Sequence, residues 1–135
     1  MINYPNETKL REIESNLIEN KFPPQIIIET TSYCNMKCLH CNHKILKRPF
    51  EHMHESLFKK IIDEIAHKAP ETEIWPTFYG ESLILGDKLF EKLEYARNLG
   101  LKNLILNSNG KLLHLKDYSY KILTSGLKRF IISLD

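Results

Sequence analysis

The spacing of apolar residues along the chain changes several times, and each change marks an element. From Thr8 to Asn20, Leu10, Ile13, Leu17 and Ile18 recur at helical intervals, and Pro23-Pro24 ends the run because proline cannot continue a helix. "QIIIET" follows, a short β-branched stretch that reads as a buried strand. No regular period then holds until His54. From Glu55 to Ala69, Leu57, Phe58, Ile61, Ile62, Ile65 and Ala66 make one apolar face, opposed by Lys59, Lys60, Asp63 and Glu64, which predicts an amphipathic helix. "EIWPTFYG" reads as the second strand, although Pro76 withholds a ladder donor and argues against a central position. Asp87 is placed to cap a helix that runs to Leu99 and stops at Gly100. "NLILN" is a third strand, a short helix spans Asp117 to Ser125, and "RFIISL" is a fourth strand after Gly126.

Two segments resemble each other. "GLKNLILN" and "GLKRFIIS" each read as helix stop, turn and buried strand. Strands alternating with helices predict an α/β fold with parallel strands and right-handed crossovers. The expected architecture is a partial (β/α) barrel of four parallel strands with outer helices, preceded by an N-terminal helix. Residues 1–24 supply that helix and a linker, and 25–135 the core. In such folds working groups collect at the carboxyl ends of strands. Here those ends carry Cys34, then Gly80-Glu81, then Asn107-Ser108-Asn109-Gly110, then Ser133-Leu134-Asp135. Parallel, adjacent strands would bring all four groups to one rim.

Composition narrows the function classes. A chain of 135 residues suits one domain and buries roughly two-thirds of its unfolded surface. A net charge of +2 gives no footprint for general nucleic-acid binding. The apolar runs are too short to span a bilayer, and the N-terminus lacks the basic segment and apolar core of a signal peptide. All 3 cysteines fall within "CNMKCLHC", Cys34 to Cys41, which cannot build a disulfide framework and suggests a reducing, cytoplasmic setting. Lys44, Lys47 and Arg48 form a basic stretch, read as a solvated face or as a contact for an acidic substrate or reductant.

Three thiols on one loop can ligate a metal centre. Structural zinc closes its shell with four protein ligands, so His40 or His43 would have to complete it. A cubane iron–sulfur cluster takes one cysteine per iron. Three cysteines then leave one iron open to a cofactor or substrate.

The C-x3-C-x2-C spacing directly after a strand resembles the radical S-adenosylmethionine (SAM) superfamily. "YGES" is similar to that family's Gly-Gly-Glu-Pro motif at the second strand, "NSNG" to the Thr-Asn-Gly after the third, and "ISLD" to the end of the fourth. "ETTSYCNMKCLHC" is closest in wording to the SPASM-containing branch. The matches run in family order from Ile26 to Asp135 and favour the cluster over zinc. The resemblance implies a [4Fe–4S] cluster on Cys34, Cys38 and Cys41. It also implies SAM at the open iron, and reductive cleavage to a 5′-deoxyadenosyl radical that takes hydrogen from a peptide, protein or small metabolite. By the same resemblance Glu81 binds the SAM ammonium, aided by main-chain carbonyls at Tyr79 and Gly80, and Ser133 and Asp135 meet the ribose. His40 either packs near the adenine or is a loop histidine in water. Asn109 either faces the cofactor or, the favoured reading, only turns the chain with Gly110. His43, His52 and His54 read as solvated. Tyr79 replaces the motif's first glycine, and Ser82 replaces its proline, which removes the stiffness of that ring from the turn.

The implied partners are SAM, the substrate and an electron donor, with no nucleic acid and no membrane. The family barrel usually has six βα units, so four strands predict an incomplete core with an apolar edge, prone to aggregation and poor at SAM cleavage unless a partner chain completes it. The competing reading is a non-enzymatic iron–sulfur or zinc-binding interaction module.

Overall fold

The structure, a computed structural model, describes residues 6–19, 22–115 and 117–134. Its elements are α1 (Glu7–Glu19), β1 (Gln25–Ile27), α2 (Glu55–Lys68), β2 (Glu73–Trp75), α3 (Asp87–Asn98), β3 (Ile105–Ser108), α4 (Tyr118–Thr124) and β4 (Arg129–Ile132). Short 3-10 turns occupy Asn42–Ile45 and Ser82–Leu85. The expected alternation of helix and strand is present, with strands shorter than their apolar runs.

β1 pairs in parallel with β2, Ile26 opposite Ile74. β3 pairs in parallel with β4, Leu106 opposite Phe130. The pairs meet at a single parallel bridge, Ile74 to Leu104, where the Ile74 N–H donates to the Asn103 carbonyl at 2.9 Å. Among the described residues there are thus two parallel pairs joined at one point, not one continuous four-stranded sheet. Local chemistry explains the short ladder. β2 ends at Trp75, and the Pro76 that follows has no N–H to offer. The Pro76 carbonyl instead accepts from the Thr30 and Ser82 hydroxyls, at 2.8 and 2.7 Å. Because Pro76 lies just past the strand, it does not force β2 to an edge, and β2 sits between β1 and β3.

The core lies on the helix side of these pairs. Phe58, Ile62 and Ile65 of α2, Leu89, Leu93 and Ala96 of α3, and Tyr118 and Ile122 of α4 pack with Ile28, Ile74, Leu104 and Leu106. Each helix contributes residues three or four apart, the stripe expected of an outer helix. Leu57, assigned to the stripe of α2, is half exposed. Leu10 of α1 is also half exposed; Asn20 lies outside the described residues, and the side chains of Ile13, Leu17 and Ile18 outside those described. Asp87 does not cap α3. Gly86, at φ 61°, precedes the helix, and Asp87 is its first residue, its carboxylate 2.7 Å from Lys121 of α4.

α2 and α3 are also joined by charge. Lys92 is buried on α3. Its ammonium meets the Glu55 carboxylate in the first turn of α2 and lies 4.8 Å from the centre of the Phe58 ring. The hydrogen bond from Lys92 holds the Glu55 carboxyl below its ordinary value, with Lys59 adding to the effect. A carboxyl depressed in the folded state stabilises the fold above the ordinary carboxylate range, and that gain disappears as pH falls through the depressed value. Glu55→Gln should therefore be less stable than the parent at neutral pH, with the gap closing in acid. Denaturant unfolding of both proteins across that range checks this; a gap independent of pH would contradict it.

Candidate functional site

The chain leaves β1 through Glu29 and Thr30 and opens into a long loop. Its neck is closed by an antiparallel bridge between Thr31 and His52. The Ser32 N–H donates to the Glu51 carbonyl and the Met53 N–H to the Thr30 carbonyl, both at 2.9 Å. Inside this neck lie the cysteines, all partly buried and none in a disulfide. His43 and His52 also take part in this closure. His43 Nε2 is 2.7 Å from the Ser32 carbonyl, and its ring stacks on Phe50, centroids 4.7 Å apart at 4°. His52 Nδ1 is 2.8 Å from the Thr31 hydroxyl. The solvated reading fits His52, which is exposed, and is corrected for His43, which is half-buried and held by the Ser32 carbonyl and the Phe50 ring. His54 is exposed just before α2, with no side-chain cap bond.

The loop after β2 docks on this neck. The Glu81 N–H donates to the Tyr33 carbonyl at 2.8 Å. A Cβ on Gly80 would lie 1.9 Å from the Thr31 carbonyl oxygen and 2.9 Å from that of Tyr33. Glycine is required here by close approach of two main chains. Tyr79, beside it, donates its N–H to Glu29 at 3.2 Å.

Glu81 is only 3% exposed, which excludes a surface helix-start role. One carboxylate oxygen accepts from the Leu83 N–H at 3.1 Å and the Ser108 hydroxyl at 3.0 Å. The other accepts from the Asn109 N–H at 2.8 Å. The side chain thus caps the 3-10 turn and ties the end of β2 to the end of β3. Ser82 is fully buried, and besides Pro76 its hydroxyl meets those of Thr30 and Thr77, at 3.1 and 2.8 Å. The stiffness expected to be lost with the motif's proline is supplied here by a buried hydroxyl cluster.

The remaining candidates stand on β3 and β4. Asn109 Oδ1 accepts from the Lys111 N–H at 2.9 Å, and Gly110 follows at φ 71°, an Asx turn. Ser133 is exposed. Its N–H donates to the Ser108 carbonyl at 2.9 Å and its hydroxyl to Asn107 at 3.1 Å. Asp135 lies outside the described residues.

These groups line one cleft of about 360 Å³: Cys34, Cys38, His40, Cys41, Tyr79, Gly80, Glu81, Asn109 and Ser133, together with Met36, Thr77, Phe78, Asn107, Ser108 and Leu134. Every described candidate residue is in it. A larger cleft of about 560 Å³ lies between the starts of α2 and α3, but it holds neither a thiol nor a strand-end group. Sequence reasoning missed Ser108 and Thr30 as site supports. The available signal was a small hydroxyl at the end of each apolar run.

The cleft disfavours an ionised Cys34 sulfur. Burial pushes the Cys34 thiol up, opposed by a hydrogen bond from the Met36 main chain; the Glu81 carboxylate and the other two thiols push it further up. A cationic metal centre held by the sulfurs would relieve this crowding. Among the described residues, no three His, Cys, Asp or Glu side chains converge as ligands to a single ion. His43 Nε2 is already engaged by the Ser32 carbonyl. The basic stretch is exposed, as expected of a solvated face, with Arg48 paired to Glu29 and Lys44 donating to the Leu39 carbonyl at 3.0 Å.

No family model matches the chain, and no curated protein matches it in sequence. The fold is similar to that of BtrN solved in complex with AdoMet and 2-DOIA, with a TM-score of 0.71 and 24% identity, covering 84% of this chain and 46% of that one. It is also similar to selenomethionine BtrN in an open conformation, with a TM-score of 0.68 and 22% identity, covering 84% and 50%. The chain thus spans about half the length of the solved structures it matches. Among the described residues no helix is long and apolar enough to cross a membrane.

Proposed function

We propose that this chain carries the SAM-binding core of a radical SAM enzyme, with residues 25–135 forming the first βα units of a partial (β/α) barrel. One observation carries the reading: the three cysteines of the loop after β1 and residues at or just past the ends of β2, β3 and β4 line a single cleft. The AdoMet complex of the fold neighbour BtrN supports SAM as the ligand. When bound, a [4Fe–4S] cluster and SAM would supply reductive cleavage of the sulfonium and a 5′-deoxyadenosyl radical that abstracts hydrogen.

The protein's part is ligation, placement and shielding. Cys34, Cys38 and Cys41 would hold the cluster. Glu81 accepts from three protein donors, and a carboxylate has about four acceptor sites. It keeps capacity for one ammonium hydrogen, beside the main-chain carbonyls of Tyr79 and Gly80. The exposed Ser133 hydroxyl and Asp135 would take ribose hydroxyls, and His40 would flank the adenine. The wording around the cysteines, close to the SPASM branch, favours a peptide or protein as hydrogen donor over a small metabolite. The cytoplasm, with an electron-donor protein, is the setting in which such thiols stay reduced.

Anaerobic reconstitution tests the reading. The expected result is about four irons and four sulfides per chain, with a spectrum of the reduced cluster that changes when SAM is added. One tightly bound zinc without sulfide would sink the cluster. A cluster indifferent to SAM would favour a non-enzymatic interaction module.

A further inference from the structure

Asn35, between the first cysteine and Met36, is joined to the turn after β3. Asn109 Nδ2 donates to Asn35 Oδ1 at 2.8 Å, across 74 residues of chain. The direction of this bond is fixed by its surroundings. Asn109 Oδ1 already accepts from the Lys111 N–H, which turns the amide nitrogen toward Asn35 and leaves Asn35 to accept. The Asn109 N–H in turn donates to Glu81, whose own N–H donates to the Tyr33 carbonyl. The bonds close a circuit through Tyr33, Glu81, Asn109 and Asn35. Cys34 is the residue enclosed, flanked on both sides by members of the circuit. The other two cysteines are joined to each other by a local turn, the Cys41 N–H donating to the Cys38 carbonyl at 3.3 Å.

We propose that Asn35 is a positioning residue: its side-chain oxygen and the Asn109 amide form a clasp that sets Cys34 against the ends of β2 and β3 before any ligand arrives. This deepens the reading of the site, but its test uses the metal-free chain and stands whether or not a cluster binds.

The test is alkylation of the reduced protein by iodoacetamide, followed for each cysteine by peptide mass spectrometry. Rates are taken on the alkaline plateau, where every thiol is ionised and the rate reports access. Asn35→Ala and Asn109→Asp each remove the clasp, the second while keeping the turn to Lys111. Both should speed alkylation of Cys34 relative to Cys38 and Cys41 by about three- to tenfold, the effect of one ordinary hydrogen bond on a local opening. Asn35→Asp keeps the acceptor and should stay within about twofold of the parent. In the Asn35→Ala background, Asn109→Asp should add nothing, whereas an effect of its charge would persist. The proposal is overturned if Cys34 is unchanged, if all three thiols speed up together, or if Asn35→Asp behaves like Asn35→Ala. Asn109→Asp probes the same bond from the other side should Asn35→Ala not fold.

Discussion

Gly80→Ala is expected to be the most damaging single-methyl change in the cleft, costing about 3 kcal/mol or more and detaching the loop after β2 from the neck of the cysteine loop. The added carbon would fall 1.9 Å from the Thr31 carbonyl oxygen and 2.8 Å from its carbon. These are main-chain atoms and cannot rotate away. Thr31 is itself held by the bridge to His52. The collision therefore has to be relieved by moving residue 80 outward, which draws the Glu81 N–H off the Tyr33 carbonyl and its carboxylate off Ser108 and Asn109. Denaturant unfolding together with metal content after reconstitution would measure the loss. Tyr79→Ala, one residue away and half-buried, should retain most of both. A Gly80→Ala protein with parental stability and metal content would mean that the two loops are not docked as described.

Serine at position 34, 38 or 41 is expected to reduce iron and sulfide after reconstitution to the level of a chain that was never reconstituted. A thiolate is the ligand, and a serine hydroxyl does not ionise near neutral pH. A cluster held by three protein sulfurs would have none spare. The fold should hardly notice: all three thiols are only partly buried, so exchanging sulfur for oxygen removes little packing. Parallel His40→Ala and His43→Ala proteins complete the experiment. A cluster on three cysteines predicts unchanged iron in both, whereas a zinc site completed by histidine predicts that one of them loses the metal. Full iron and sulfide in any of the serine proteins would remove that cysteine from the ligand set.

The site was legible in the sequence to the extent that topology carried it. Helix–strand alternation sends successive strand ends to one side, so the groups after "QIII", "EIW", "LILN" and "RFII" converge without any knowledge of their contacts. Strand lengths were not legible. "QIIIET" suggests six residues, yet β1 stops at Ile27, because its partner strand runs into Pro76, which has no N–H to extend the ladder. Pro76 itself misled: a proline inside an apolar run suggests an edge, but one placed just past the last ladder residue permits a central strand. His43 was misjudged for a related reason. Its acceptor, the Ser32 carbonyl, is close in space, and nothing in the spacing of residues 31–52 announces that the loop folds back on its own neck. Glu81 was found by its motif, but its three donors come from two different strand ends and are invisible to any pattern in one segment.

The single bridge between Ile74 and Leu104 has a mechanical consequence. The cleft straddles a seam: the cysteines and Gly80 ride on the β1–β2 plate, Asn109 and Ser133 on the β3–β4 plate. Below, the plates are riveted by that bridge and by the Arg129–Glu73 ion pair at 2.9 Å. Above, at the rim where a ligand would enter, the described fasteners are side chains: the Glu81 carboxylate on Ser108 and Asn109, and the Asn35–Asn109 clasp. The width of the cleft is thus governed by side chains, not by the main-chain bonds of either ladder. A polar substitution at the rim can change its gauge while leaving both plates, and the core beneath them, intact.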